Sequence, residues 1–96
     1  MITILATLSA KEGKQDQLRK VLTNVVAPSR SEEGCMLYAV HESGERDGTF
    51  VFFEKWIDDA AFQTHLETEH YKAYRELSAP YLASREVKRL YDISDS

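Results

Sequence analysis

The chain has 96 residues, enough for one domain with a thin core, because chains this short bury only roughly two-thirds of their unfolded surface. Its 43% hydrophobic and 29% charged residues are those of a globular protein and exclude disorder. With 16 acidic against 12 basic residues, a net charge of -4 and no basic cluster beyond Lys88-Arg89, a nucleic-acid partner is excluded, and no apolar run approaches the roughly 20 residues that cross a bilayer.

Ile2, Ile4, Ala6 and Leu8 share one face by alternation, so the chain opens on a strand. The opening residues lack a basic segment followed by an apolar core and a cleavage site, which reads as a cytoplasmic protein. After the polar turn Lys11-Glu12-Gly13-Lys14, Leu18, Val21, Leu22, Val25 and Val26 form one apolar stripe on a helix. Pro28 kinks or ends that helix, and Gly34 stops what continues. Cys35 has no partner in the chain for a disulfide, in keeping with a reducing compartment, and reads as a small buried hydrophobe rather than a nucleophile.

Cys35 to Glu42 and Thr49 to Trp56 are strand-length apolar runs joined by a polar, Gly-containing connector, which predicts a hairpin. A centre near Arg46 puts Tyr38 opposite Glu54, Val40 opposite Phe52 and Met36 opposite Trp56 on one face. Leu37, Ala39, Val51 and Phe53 occupy the other. Two apolar faces require two covers, helices on one side and, most economically, a second subunit on the other. Glu54 stands among Phe50, Phe52 and Trp56, where burial raises a carboxyl pKa; such groups concentrate at functional sites, although a structural ion pair or a solvated strand edge also accounts for it.

Asp58 caps a helix in which Phe62, His65 and Leu66 share a side, and Thr68 caps a second segment with Tyr71, Tyr74, Leu77, Ser78 and Tyr81 at helical spacing. Pro80 falls in or beyond its last turn. Val87, Arg89, Tyr91 and Ile93 then alternate in a last strand before a polar tail. The order β-α-β-β-α-β is the ferredoxin-like arrangement of the α+β class, here a single domain over residues 1–96. His65 and His70 are five apart, about 140° around one regular helix, which is poor geometry for a shared metal, and no CxxC, HExxH, GxGxxG or P-loop motif is present.

Lys11-Glu12-Gly13-Lys14, Glu33-Gly34-Cys35-Met36-Leu37-Tyr38, Phe53-Glu54-Lys55-Trp56 and His65-Leu66 with His70-Tyr71 resemble, in this order and spacing, the antibiotic biosynthesis monooxygenase family. The resemblance covers nearly the whole chain. It implies a homodimeric α+β barrel in which Met36, Tyr38, Val40, Phe52, Glu54 and Trp56 look toward the helices and a pocket, while Leu37, Ala39, Val51 and Phe53 meet the partner. Family activities include cofactor-free oxygenation of quinols and polyphenols, isomerisation of a phosphorylated quorum-sensing sugar and haem degradation; some members have no known reaction. The haem-degrading branch places its ligating His where this chain reads Lys72-Ala73-Tyr74-Arg75, and the first strand has no Asn, so haem is not expected.

Within such a pocket His65 is the candidate base, with Glu54 sharing or orienting its work and the Tyr38 hydroxyl stabilising an oxyanion. Phe52, Trp56, Phe62, Tyr71 and Met36 would grip a flat small-molecule substrate. His41 and His70 read as surface or core-satisfying residues rather than catalysts. The expectation is a small monooxygenase acting on a quinol-like or polyphenolic substrate without flavin, haem or metal. The alternatives are an isomerase of a small carbonyl compound and a ligand-binding or stress protein without turnover.

Overall fold

A computed structural model describes residues 1–94. Its elements run β1 (Ile2–Ala10), α1 (Gln15–Asn24), α2 (Val26–Arg30), β2 (Cys35–Glu42), β3 (Thr49–Trp56), α3 (Asp59–Leu66), α4 (Glu69–Ser78), a short 3-10 turn (Ala79–Tyr81) and β4 (Leu82–Leu90). The sheet is antiparallel in the order β2-β3-β1-β4. This is the α+β, ferredoxin-like fold, with each helical region divided in two.

Both divisions follow from single residues. Pro28 lies in the first turn of α2, and its ring and missing N–H are incompatible with a helical bond to the carbonyl four residues back, at Asn24, where α1 ends. Between α3 and α4, Thr68 breaks the run: its hydroxyl donates to the His65 carbonyl at 2.7 Å and accepts the Tyr71 N–H at 3.2 Å. Asp58, in extended backbone, accepts the Ala61 N–H at 2.8 Å and starts α3.

Strand alternation sets the two faces of the sheet. Ile4, Ala6, Leu8, Phe50, Phe52 and Trp56 are buried under Leu18, Leu22, Val25 and Tyr74 from the helices. Tyr38 pairs with Glu54 and Val40 with Phe52, as the hairpin reading requires. Leu37, Val51 and Phe53 lie on the opposite face with Leu5 and Leu90; Leu37 and Leu90 are 38% and 37% exposed. Among the described residues no helix is long and apolar enough to cross a membrane.

The structure corrects three expectations. The register shifts between Cys35 and Leu37, so Cys35 rather than Met36 pairs with Trp56, and Met36 points out, 56% exposed. The last strand begins at Leu82 and ends at Leu90, because pairing with β1 runs from Ala10 back to Thr3; Tyr91 and Ile93 lie beyond it and are exposed. Leu77 is 60% exposed, since Tyr74 and Ser78 carry the buried side of α4.

Candidate functional site

Glu54 projects from β3 beneath the helices and is 6% exposed. Its Oε1 accepts the Trp56 indole N–H at 3.0 Å. Burial pushes its carboxyl up to about 7; the Trp56 bond and the positive charge of Arg85 act against that rise, and the charge of Glu32 adds to it. A carboxyl that titrates near neutrality can give or take a proton.

His65, in the last turn of α3, is 1% exposed. Its ring lies 4.4 Å from that of Trp56, 5.0 Å from Tyr71 and 5.4 Å from Tyr38, centroid to centroid. Its Nδ1 is 2.6 Å from Glu32 Oε2, and His70 Nε2 reaches the same oxygen at 2.7 Å. A carboxylate oxygen only accepts, so both of these ring nitrogens carry protons. Burial pushes the His65 pKa down, outweighing the bond to Glu32, and the ring is therefore neutral at neutral pH. Its Nε2 then holds a lone pair, buried and unpartnered among the described residues. Glu32 fixes the tautomer and leaves the basic nitrogen free, an orienting role that general-base histidines require.

Two local features make this convergence possible. The break at Thr68 turns α4 relative to α3, so His65 and His70 are not on one regular helix and the 140° argument does not describe them. Gly34 lets the Glu32 segment lie against α3: a Cβ there would collide with that of Ala61, and the Ile57 N–H donates to the Gly34 carbonyl at 2.9 Å. Glu32, His65 and His70 thus bring three ligand-type atoms within 4.8 Å of one another.

Arg85 on β4 pairs across the sheet with Leu8 and faces the same interior. Its Nη2 donates to Tyr71 Oη at 3.1 Å, while its Nε is buried and unpartnered among the described residues. Arg75 Nη1 donates to the same Tyr71 oxygen at 3.0 Å. Glu54, Phe62, His65, Tyr71 and Arg85 line a cavity of about 20 Å³, which holds about one water. A base, a carboxyl of near-neutral pKa and a guanidinium border it, with an aromatic wall on one side. Such a set can remove a proton from a phenol and hold the resulting anion.

Of the residues singled out from the sequence, His65, Glu54, Phe62 and Tyr71 line this cavity. Trp56 and Tyr38 pack on the His65 ring; burial pushes the Tyr38 hydroxyl pKa up and keeps that group neutral. Phe52 stands behind Tyr38 at 5.3 Å, and Met36 is outside. The Cys35 thiol is pushed up by burial, consistent with an inert side chain. Sequence reading passed over Glu32 and Arg85 and set His70 aside. Arg85 was detectable in principle, since a strand starting at Leu82 puts it in phase with Val87. Glu32 carries no such signal, lying in a polar turn 33 positions from His65.

Residues 1–77 match the family described as antibiotic biosynthesis monooxygenase. The Synechocystis protein sll1783 is 30% identical over 95 residues, which are 99% of this chain but 65% of that protein, so the chain spans less than two-thirds of its length. Escherichia coli YgiN, named a probable quinol monooxygenase, is 30% identical over 79% of this chain and 83% of its own. The crystal structure of PA3566 from Pseudomonas aeruginosa superposes with a TM-score of 0.92 at 33% identity, covering 97% of this chain and 94% of that one. With the family match spanning most of the sequence, and the fold agreeing with that of PA3566 over nearly all of it, the chain belongs to the antibiotic biosynthesis monooxygenase family.

Proposed function

We propose that this protein is a cofactor-independent monooxygenase of quinol-like or polyphenolic substrates, working as a homodimer closed through the exposed sheet face. The observation that carries the reading is His65, whose Nδ1 is fixed by Glu32, whose Nε2 has no partner among the described residues, and which borders a cavity with Glu54 and Arg85. The name of YgiN supports the substrate class.

In this mechanism His65 Nε2 takes the proton of a substrate hydroxyl, and Glu32 stabilises the imidazolium. Arg85 and the Tyr71 hydroxyl face the phenolate; Phe62 and Trp56 keep water away from it. The electron-rich anion passes one electron to dioxygen, and the resulting radicals join as a carbon–oxygen bond to a peroxide. Glu54 gives that peroxide a proton. Loss of the proton on the same carbon then breaks the O–O bond and releases water. Quinol plus dioxygen gives hydroxyquinone plus water, and the substrate supplies all the electrons. Ligand pockets usually span some 300–1,000 Å³. Substrate therefore moves α3 and the start of α4 outward, breaking the exposed Arg89–Asp59 pair at 3.0 Å.

The near-neutral Glu54 facing His65 favours a second reading, proton transfer between two carbons of a small carbonyl compound, with one group removing and the other returning the proton. Labelled dioxygen separates the two. The oxygenase reading requires one labelled atom in the product and one in water. Absence of oxygen uptake across a quinol panel, with deuterium exchange into a carbonyl compound, would replace it with the isomerase reading.

A further inference from the structure

We infer that Glu32, His65 and His70 form a site for a zinc-class divalent cation, and that the cation inhibits by occupying the nitrogen that must stay protonated for His65 to act as a base. The inhibitory half rests on the function proposed above; the binding half does not.

Two imidazoles and one carboxylate make up the donor set, a combination that suits zinc and its neighbours rather than magnesium or calcium. The three donor atoms lie within 4.8 Å of one another and come from three segments held by separate constraints: Gly34 against α3, the end of α3, and the start of α4 after the Thr68 break. Two further observations point to a ligand. Glu32 Oε1 is buried with no hydrogen-bond partner among the described residues, so half of the carboxylate is dry and unused. An open cleft of about 410 Å³ leads to Glu32 from the surface, and Glu33, Asp58, Thr64 and Thr68 also border it, an acidic approach for a cation.

Metal and base are mutually exclusive at His65. As the structure stands, Nδ1 donates to Glu32 and Nε2 holds the lone pair. A cation on Nδ1 takes the lone pair there, so the ring proton must move to Nε2. His70 shifts its proton from Nε2 to Nδ1 in the same way. With its proton on Nε2, His65 has no lone pair there and can no longer act as a base. Zinc would thus switch the site off without entering it.

The test is zinc binding, measured by competition with a chromophoric chelator, on the wild-type protein and on Glu32→Gln, His70→Ala and, as a control, His41→Ala. His41 is exposed and lies on β2. The site predicts one zinc per chain, affinity weakened at least about tenfold by Glu32→Gln and by His70→Ala but not by His41→Ala, and no competition from magnesium. No stoichiometric zinc, or zinc that all three variants bind equally, would overturn it. Glu32→Gln is close in shape, and a circular-dichroism melt establishes that each variant is folded before titration. Oxygen uptake with a quinol is then followed with and without zinc. Inhibition that disappears in His70→Ala supports the switch, and zinc bound at this site without effect on uptake overturns it. Zinc binding with no quinol-dependent uptake at all would sink the proposed function and leave the metal site standing.

Discussion

Glu54 is neutral in the folded interior at pH values where the unfolded chain has already ionised it. Its folded pKa of about 7 lies above the ordinary 4.5, so the folded state binds the extra proton between these values. Stability from this group is complete below pH 4.5, falls as pH rises toward 7, and is lost above it. A difference of this size corresponds to about 3 kcal/mol at most. Wild-type melting temperature should therefore decline from pH 5 to pH 8, and Glu54→Gln, which keeps the shape without the charge, should flatten that slope while reducing turnover. A slope unchanged by Glu54→Gln would show that the carboxyl is not the group responsible. Arg85 opposes the rise, so Arg85→Gln should move the Glu54 titration to still higher pH and weaken binding of anionic quinol analogues, as NMR titration and inhibitor affinity would read.

The junction between α3 and α4 decides whether the site exists. Thr68→Ala removes the cap on the Tyr71 N–H, a loss of about 1 kcal/mol. For a chain of this size that lowers the melting temperature by about 4–8 °C, and the looser junction should reduce turnover beyond what the folded fraction explains. Thr68→Ser, which keeps the hydroxyl, should restore both; failure of that rescue would refute the capping role. Most elements were legible in the sequence because they rest on local rules. Alternation fixed Ile4, Ala6 and Leu8 inward, the polar connector set Tyr38 opposite Glu54, and Asp58 and Thr68 marked the two helix starts. The start of β4 was not legible, since Leu82, Ser84 and Glu86 carry no apolar alternation and their pairing with β1 is a tertiary choice. Met36 was misplaced by an irregularity that periodicity cannot register. Half of the candidate site was hidden for the same reason: Glu32 joins His65 and His70 only because Gly34 packs against Ala61, a contact between distant segments. Gly34→Ala should accordingly displace Glu32 and lower both turnover and zinc affinity while Cys35 to Glu42 remains paired.

At the scale of the whole molecule, the described residues cover the sheet on one side only, and Leu5, Leu37, Val51, Phe53 and Leu90 share the other. Apolar residues gathered on one uncovered sheet face favour association. The proposed homodimer should sediment as a dimer at micromolar concentration, and Val51→Glu, which puts a charge into a dry interface, should dissociate or unfold it. A stable wild-type monomer at that concentration would remove the barrel assembly. The claim on which the account turns is that His65 is the base of an oxygenase. Its most direct test is the rate of oxygen uptake with a quinol, compared between wild type and His65→Ala at equal folded concentration. The account predicts uptake by the wild type and a loss of roughly 100-fold or more in His65→Ala; equal rates for the two proteins would contradict it.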